Sequence, residues 1–333
     1  MSLERLALAP DLSICRLLNG MWQVSGGHGR VDRAKALESM HTHVADGFTT
    51  WDLADHYGPA EDLVGAYRRQ HAAEPSASPN VQFLTKWVPR PGPMTGPIVA
   101  AAVAVSQRRM AADTLDLLQF HWWDYADRRY LDALAHLAAL RDAGAIRHLG
   151  LTNFDTERLA QILERGIAVV SNQVQFSLID RRPEVRMAPW CREHGVHLLA
   201  YGAVCGGLLS DRYLGQPEPR GSALDTVSLQ KYKRMVDAWG GWALFQELLT
   251  VLRSIAARHR VSIATVSVRW VLDRPAVAGV ILGRRLGLTD HRAENAQVSA
   301  VTLDAEDLAR IDQVASKSND LFRSIGDCGD EYR

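Results

Sequence analysis

The stretch IRHLGLTNFDTERLAQILERGIAVVSNQ, residues 146 to 173, contains one full unit of the pattern that decides the fold. Ile146 to Leu151 is short and β-prone. Asp155 or Thr156 then stands where a helix N-cap is favoured, and Leu159, Ile162 and Leu163 recur at helical spacing. Gly166 sits where a left-handed residue closes a helix, and Val169 to Gln173 returns to strand. The same alternation runs along nearly the whole chain. Further strands are expected at Leu17 to Val24, Thr49 to Asp52, Phe83 to Lys86, Leu115 to Phe120, His197 to Tyr201 and Val277 to Leu282. Gly47, Gly144 and Gly195 close helices before the next strand. Eight β/α alternations in 333 residues fit a (β/α)8 TIM barrel, an α/β fold, better than a doubly wound sheet. A short N-terminal β-hairpin and an extra C-terminal helix are expected beside it. No linker divides the chain, so residues 1 to 333 read as a single domain.

Composition narrows the function classes. Apolar residues make up 47% and charged residues 23%, with 38 basic and 38 acidic side chains, the balance of an ordinary globular protein. Zero formal net charge gives no reason to invoke nucleic acid or an anionic membrane. The opening MSLERLALAPDLSICRLLNG lacks the pattern of a signal peptide, and a cytoplasmic location is expected. Cys15, Cys191, Cys205 and Cys328 lie far apart without metal-ligand spacing, so reduced thiols are expected.

In such barrels chemistry gathers at the C-terminal ends of strands. Those positions hold Asp52, then Tyr57 in the following loop, Lys86 and His121. Singly, each has a structural alternative: a helix cap, a core aromatic, two half-exposed strand ends. Together they form a proton-donating set. A tyrosine hydroxyl, with a pKa near ~10, becomes a better acid beside an ammonium that favours the phenolate. Asp52 would hold that ammonium, and His121 would orient the substrate oxygen or share the proton.

GMW at 20–22, DLADHYGPAE at 52–61, TKW at 85–87, LDLLQFHWWD at 115–124, GLTNF at 150–154, NQVQFSLI at 172–179 and AYGAVCGGLLSDRY at 200–213 resemble, in order, the motifs of the aldo-keto reductase superfamily. The resemblance implies a nicotinamide-dependent oxidoreductase that reduces an aldehyde or ketone to an alcohol. Its catalytic tetrad would be Asp52, Tyr57, Lys86 and His121, with Tyr57 the general acid. It implies a cofactor extended across the barrel mouth, near Gly20, Met21, Trp22 and Asp52, without a Rossmann domain. Thr152, Asn153 and Gln173 would hold the nicotinamide carboxamide and Tyr201 would stack on the ring. Gly202, Ala203, Val204 and Gly207 would follow the pyrophosphate, with Arg212 reaching a phosphate. The Ser-Pro usual after the aromatic is Gly202-Ala203 here. In VILGRRLGLTDHRAEN, residues 280–295, Gly283 and Asn295 match the last cofactor element. Arg284, Arg285, His291 and Arg292 form a cationic group suited to a 2′-phosphate, so NADPH is preferred over NADH.

Trp22, Trp87 and Trp122 are expected to line an apolar substrate pocket, and Trp123 to pack in the barrel wall. Residues 214 to 241 break the alternation and read either as a lid or as a surface excursion, and EPSASP at 74–79 reads as a surface loop. SGGHG at 25–29 reads as a loop, and the terminal IGDCGDEYR either as a tail or as a segment folded toward the mouth. Two rival functions compete with this reading. His41 and His43 prompt a metal-dependent hydrolase, but i, i+2 spacing on a helix splays them apart, and no metal site is expected. A redox-sensing regulatory or channel-subunit-like module on the same scaffold is the other alternative.

Overall fold

A computed structural model describes residues 3–27, 29, 31–71 and 80–332; the EPSASP stretch lies outside the described residues. Ten strands form among the described residues: β1 Arg5–Ala9, β2 Leu12–Cys15, β3 Leu17–Gly20, β4 Thr50–Asp52, β5 Gln82–Trp87, β6 Leu115–His121, β7 Ile146–Thr152, β8 Ser171–Gln175, β9 His197–Tyr201 and β10 Val277–Gly283. β1 and β2 make an antiparallel hairpin, and the other eight close into a barrel in the order β10-β3-β4-β5-β6-β7-β8-β9. Every neighbouring pair in the barrel is parallel. The (β/α)8 expectation holds, together with the hairpin and the additional C-terminal helices.

The helices are α1 Arg33–Ala45, α2 Ala60–His71, α3 Gly96–Met110, α4 Tyr130–Asp142, α5 Thr156–Glu164, α6 Arg182–Val185, α7 Met187–His194, α8 Val227–Trp239, α9 Gly241–His259, α10 Ile263–Leu272, α11 Arg292–Ala296, α12 Ala305–Ala315 and α13 Leu321–Ile325. Local chemistry sets their ends. Asp155, not Thr156, caps α5 by accepting from the Arg158 N–H, and Asp304 and Asp307 form a reciprocal capping box on α12. Gly166 takes φ +77°, a turn that a side chain would strain. Two strands depart from expectation by two residues or more, and several other boundaries move by one. The first barrel strand ends at Gly20, because Trp22–Ser25 winds into a 3-10 turn, and β8 begins two residues late at Ser171. Among the described residues no helix is long and apolar enough to cross a membrane, and all four cysteines are free.

Alternation along the strands divides the core in two. Leu18, Leu84, Leu117, Leu199 and Ile281 point into the barrel, where Leu8, Leu12 and Ile14 of the hairpin pack against them from below. Residues of opposite parity, such as Phe83, Leu118 and Phe120, join the larger core between strands and helices. The next inward positions above the aliphatic floor are polar: Asp52 on β4, Lys86 on β5, Gln119 on β6 and Gln173 on β8.

Candidate active site

Asp52, Gln119 and Gln173 come from alternate strands, the arrangement of one side-chain layer in a barrel of this kind. Lys86 Nζ donates to both oxygens of Asp52, at 2.8 and 2.7 Å, and to the Leu53 carbonyl at 3.0 Å. That uses all three ammonium hydrogens. Asp52 Oδ1 also accepts from the amides of Gln119 at 2.9 Å and Gln173 at 2.7 Å, and Gln173 bonds Gln119 at 2.8 Å. The Lys86 and Asp52 side chains are only 2% and 4% exposed. Burial pulls the Lys86 ammonium below the ordinary lysine value, and the Asp52 carboxylate opposes that pull.

Tyr57 reaches this pair from the loop after β4. Lys86 Nζ lies 5.1 Å from the centre of its ring, which packs edge-on against Trp22 and His56 at 5.0 and 4.8 Å between centroids. His121, at the end of β6, is buried with its ring 4.3 Å from that of Trp123. The four residues of the expected tetrad therefore occupy one mouth. Of their sequence neighbours, His56 is exposed, while Asp55 is half-buried and accepts from the Val88 N–H, fastening the end of β5.

The tryptophan expectation is corrected for three residues, Trp87, Trp122 and Trp123. Lys86, Gln119 and His121 point inward, so Trp87 and Trp122 point outward. Trp87 packs on Phe120, and Trp122 is fully buried with its indole N–H donated to the Asp124 and Asp127 carbonyls. Trp123 regains the parity of His121 and stands exposed beside it. Trp22 and Trp123, not Trp87 and Trp122, flank Tyr57 and His121. Met21 is also corrected: its side chain is buried in the outer core and its N–H is taken by the Asp52 carbonyl. Gly20, at the end of β3, accepts from the Arg284 N–H.

The residues present fit a nicotinamide at this mouth. Thr152 Oγ1 is buried without a hydrogen-bond partner, a cost a carboxamide would remove. Asn153 holds φ +57°, and its Oδ1 accepts from the Tyr201 hydroxyl at 2.9 Å. Gln173 differs from expectation, since its NH2 group is directed inward to Asp52 and Gln119.

Gly202 and Gly207 take φ +79° and +103° in the loop after β9, where Ala203 is buried and Val204 half-buried. Arg212 is exposed, its guanidinium over the Tyr213 ring. Residues 214 to 241 are not a loose excursion. They contain α8, which lays Tyr232 against Gly202 and Gly206; a Cβ on Gly202 would stand 2.5 Å from the Tyr232 hydroxyl. That hydroxyl occupies the volume where a serine side chain at 202 would lie. Lys233 bonds Glu218 at 2.6 Å, tying α8 to the preceding segment.

The basic group after Gly283 separates on folding. Arg284 is buried, bonded to Asn19 at 2.9 Å and set over the Phe48 ring. Arg292 is matched by Asp290 and Asp46, and His291 faces Glu294 at 3.3 Å. Arg285 is the exposed arginine of the four, and Asn295 lies half-buried in α11.

Beneath this loop, burial, assisted by the Arg284 cation, lowers His43 to about 4. Its folded value lies below the unfolded one, so the stability it contributes is complete above about pH 6.5 and lost as pH falls toward 4. The loss is on the order of 3 kcal/mol. Replacing His43 by glutamine is expected to flatten the fall in urea midpoint between pH 7.5 and 4.5; an unchanged slope would assign the acid sensitivity elsewhere.

Sequence reading did not single out Gln119, Tyr232 or Glu331. Gln119 carried a signal, being a polar residue two positions before His121 in an apolar strand. Tyr232 carried only the glycine it packs against.

The aldo/keto reductase family model matches residues 16–316. The chain belongs to the aldo/keto reductase family. Its reductase barrel resembles that of a Bacillus halodurans aldo-keto reductase in the holo form, with a TM-score of 0.72, 24% identity, and coverage of 94% of this chain and 96% of that one. At that identity the likeness concerns the fold. Among curated relatives, flagellar radial spoke protein 5 of Chlamydomonas reinhardtii is 30% identical over 66% of this chain and 49% of its own length. The NADH-specific methylglyoxal reductase of Escherichia coli (strain K12) is 23% identical over 82% of this chain and 86% of its own. The reductase chain thus spans about half of the first of these proteins and most of the second. Among the described residues no group of three or more His, Cys, Asp or Glu is placed to hold a metal, and His41 stacks on His71.

Proposed function

We propose that this chain reduces an aldehyde or ketone to an alcohol with NADPH. One observation supports this most strongly: a buried ammonium with every hydrogen assigned stands beside the Tyr57 ring, braced by a carboxylate that two amides hold in turn. A bound nicotinamide supplies the hydride. Tyr57 donates its hydroxyl proton to the carbonyl oxygen, and Lys86 stabilises the phenolate left behind. Asp52 keeps Lys86 charged and in place, while His121 positions the substrate oxygen. Thr152 and Asn153 orient the carboxamide; Trp22 and Trp123 exclude water and favour an apolar or aromatic carbonyl compound. The test is loss of NADPH absorbance across a panel of aldehydes and ketones, run in parallel with NADH. No turnover of any carbonyl would overturn the reading.

Arg285 carries the choice of NADPH. A charge-assisted bond to a phosphate contributes about 1.5–3 kcal/mol. Arg285→Ala is therefore expected to raise KM for NADPH about 10- to 100-fold and to change KM for NADH by less than about twofold. An equal effect on both cofactors would remove that role from Arg285.

One observation favours a second reading, a nicotinamide-sensing subunit of a larger assembly. The relative at 30% identity is named as a flagellar radial spoke protein. Cofactor binding without carbonyl turnover, together with stable capture of partner chains, would select that reading.

A further inference from the structure

The C-terminal segment folds onto the mouth and brings a charge to it. Asp327 accepts from the Thr156 N–H at 2.9 Å through its carboxylate and from Arg182 Nη1 at 3.1 Å through its carbonyl. Arg182, 1% exposed, is held by Asp180 through Nε and Nη2, each at 2.8 Å, and Nη2 also bonds Glu331 Oε2 at 3.0 Å. The Gly329 N–H reaches the same Glu331 oxygen at 2.9 Å. The other oxygen, Oε1, lies 3.4 Å from the Tyr201 hydroxyl, which also points to Asn153. One guanidinium thus faces two carboxylates, and the Glu331 side chain is only 7% exposed. An excess negative charge stands at the hydroxyl end of Tyr201.

We propose that Glu331, acting through Tyr201, stabilises the oxidised, cationic nicotinamide relative to the reduced, neutral one. This rests on the reading above, in which Tyr201 stacks on that ring. In the reaction a hydride leaves the reduced nicotinamide for the carbonyl carbon and Tyr57 supplies the proton to oxygen. The ring gains one positive charge as Tyr57 becomes phenolate. Lys86 answers the phenolate; Glu331 answers the ring. The Tyr201 hydroxyl has one hydrogen, which goes either to Asn153 Oδ1 at 2.9 Å or to Glu331 Oε1 at 3.4 Å; turned to the carboxylate, it enriches the ring in electron density and strengthens its attraction for a cation on its face. The Lys231 ammonium, 4.9 Å from the centre of the same ring, acts in the opposite sense, and removing Glu331 would leave it unopposed there. Glu331 is a positioning residue, since Tyr201 stands between it and the cofactor.

The test is the dissociation constant of each cofactor form, read from quenching of tryptophan fluorescence in the full-length protein. A unit charge within about 10 Å at intermediate dielectric shifts an ionic equilibrium roughly tenfold. Glu331→Gln is expected to raise Kd for NADP+ about 5- to 10-fold and Kd for NADPH by less than about twofold, while Glu331→Asp restores most of the difference. Tyr201→Phe should move the ratio the same way and combine non-additively with Glu331→Gln. It carries the test alone if Glu331→Gln does not fold. Equal weakening of both forms, or no change in their ratio, overturns the assignment of Glu331. If the unmodified protein binds neither form, the reading of the whole site fails with it.

Discussion

Replacing Tyr57 by phenylalanine is expected to lower kcat by about 10²- to 10⁴-fold, the contribution of a positioned acid. The affinity for the cofactor should stay within about twofold of the original, because the substitution removes one oxygen and keeps the ring. That ring is what packs against Trp22 and His56 and lies beside the Lys86 ammonium. Steady-state turnover with the best carbonyl substrate, paired with a fluorescence titration of NADPH, separates the two quantities. Equal turnover by the variant and the parent would sink the assignment of Tyr57 as acid.

Lys86→Met tests the support of that acid and should damage both rate and stability. Asp52 would keep its two amide donors but lose the cation that holds both its oxygens. Breaking one side of a buried ion pair costs about 3–5 kcal/mol. A turnover loss as large as that of Tyr57→Phe is expected beside it. Adding Asp52→Asn removes the stranded charge, so the double variant should regain stability in urea denaturation while remaining inactive. If Lys86→Met unfolds at the same urea concentration as the parent, the pair is not the brace described above.

The barrel, and the gathering of Asp52, Tyr57, Lys86 and His121 at one mouth, were legible because both depend on short-range pattern. Strand ends, Gly punctuation and Asp caps are local, and a charged or polar residue at the end of an apolar run is conspicuous wherever it folds. The tryptophans show where local reading goes astray. Strand alternation sets their directions, and one step of phase exchanges pocket for wall, so Trp122 and Trp123 stand in each other's expected places. The basic loop failed for another reason: positive charges are visible in the chain but their partners are not. Arg292 meets Asp46 across the fold, and Arg284 turns inward to Asn19. Gly202 looked like the loss of a hydroxyl, and only packing reveals Tyr232 in that volume. Glu331 had no signal at all, because its meaning depends on Arg182 and Tyr201, distant in sequence.

The aliphatic floor of the barrel has a consequence for turnover. Leu18, Leu84, Leu117 and Leu199, closed from below by the hairpin, offer no relay of ionisable groups by which a proton can travel upward. With Tyr57 as the acid proposed above, its phenolate would have to be recharged from the solvent side, through the same opening that would admit the carbonyl and release the alcohol. Substrate traffic and proton supply share one doorway, framed by Trp22 and Trp123. A bulky product slow to leave would hold back the acid for the next cycle as well as the next substrate.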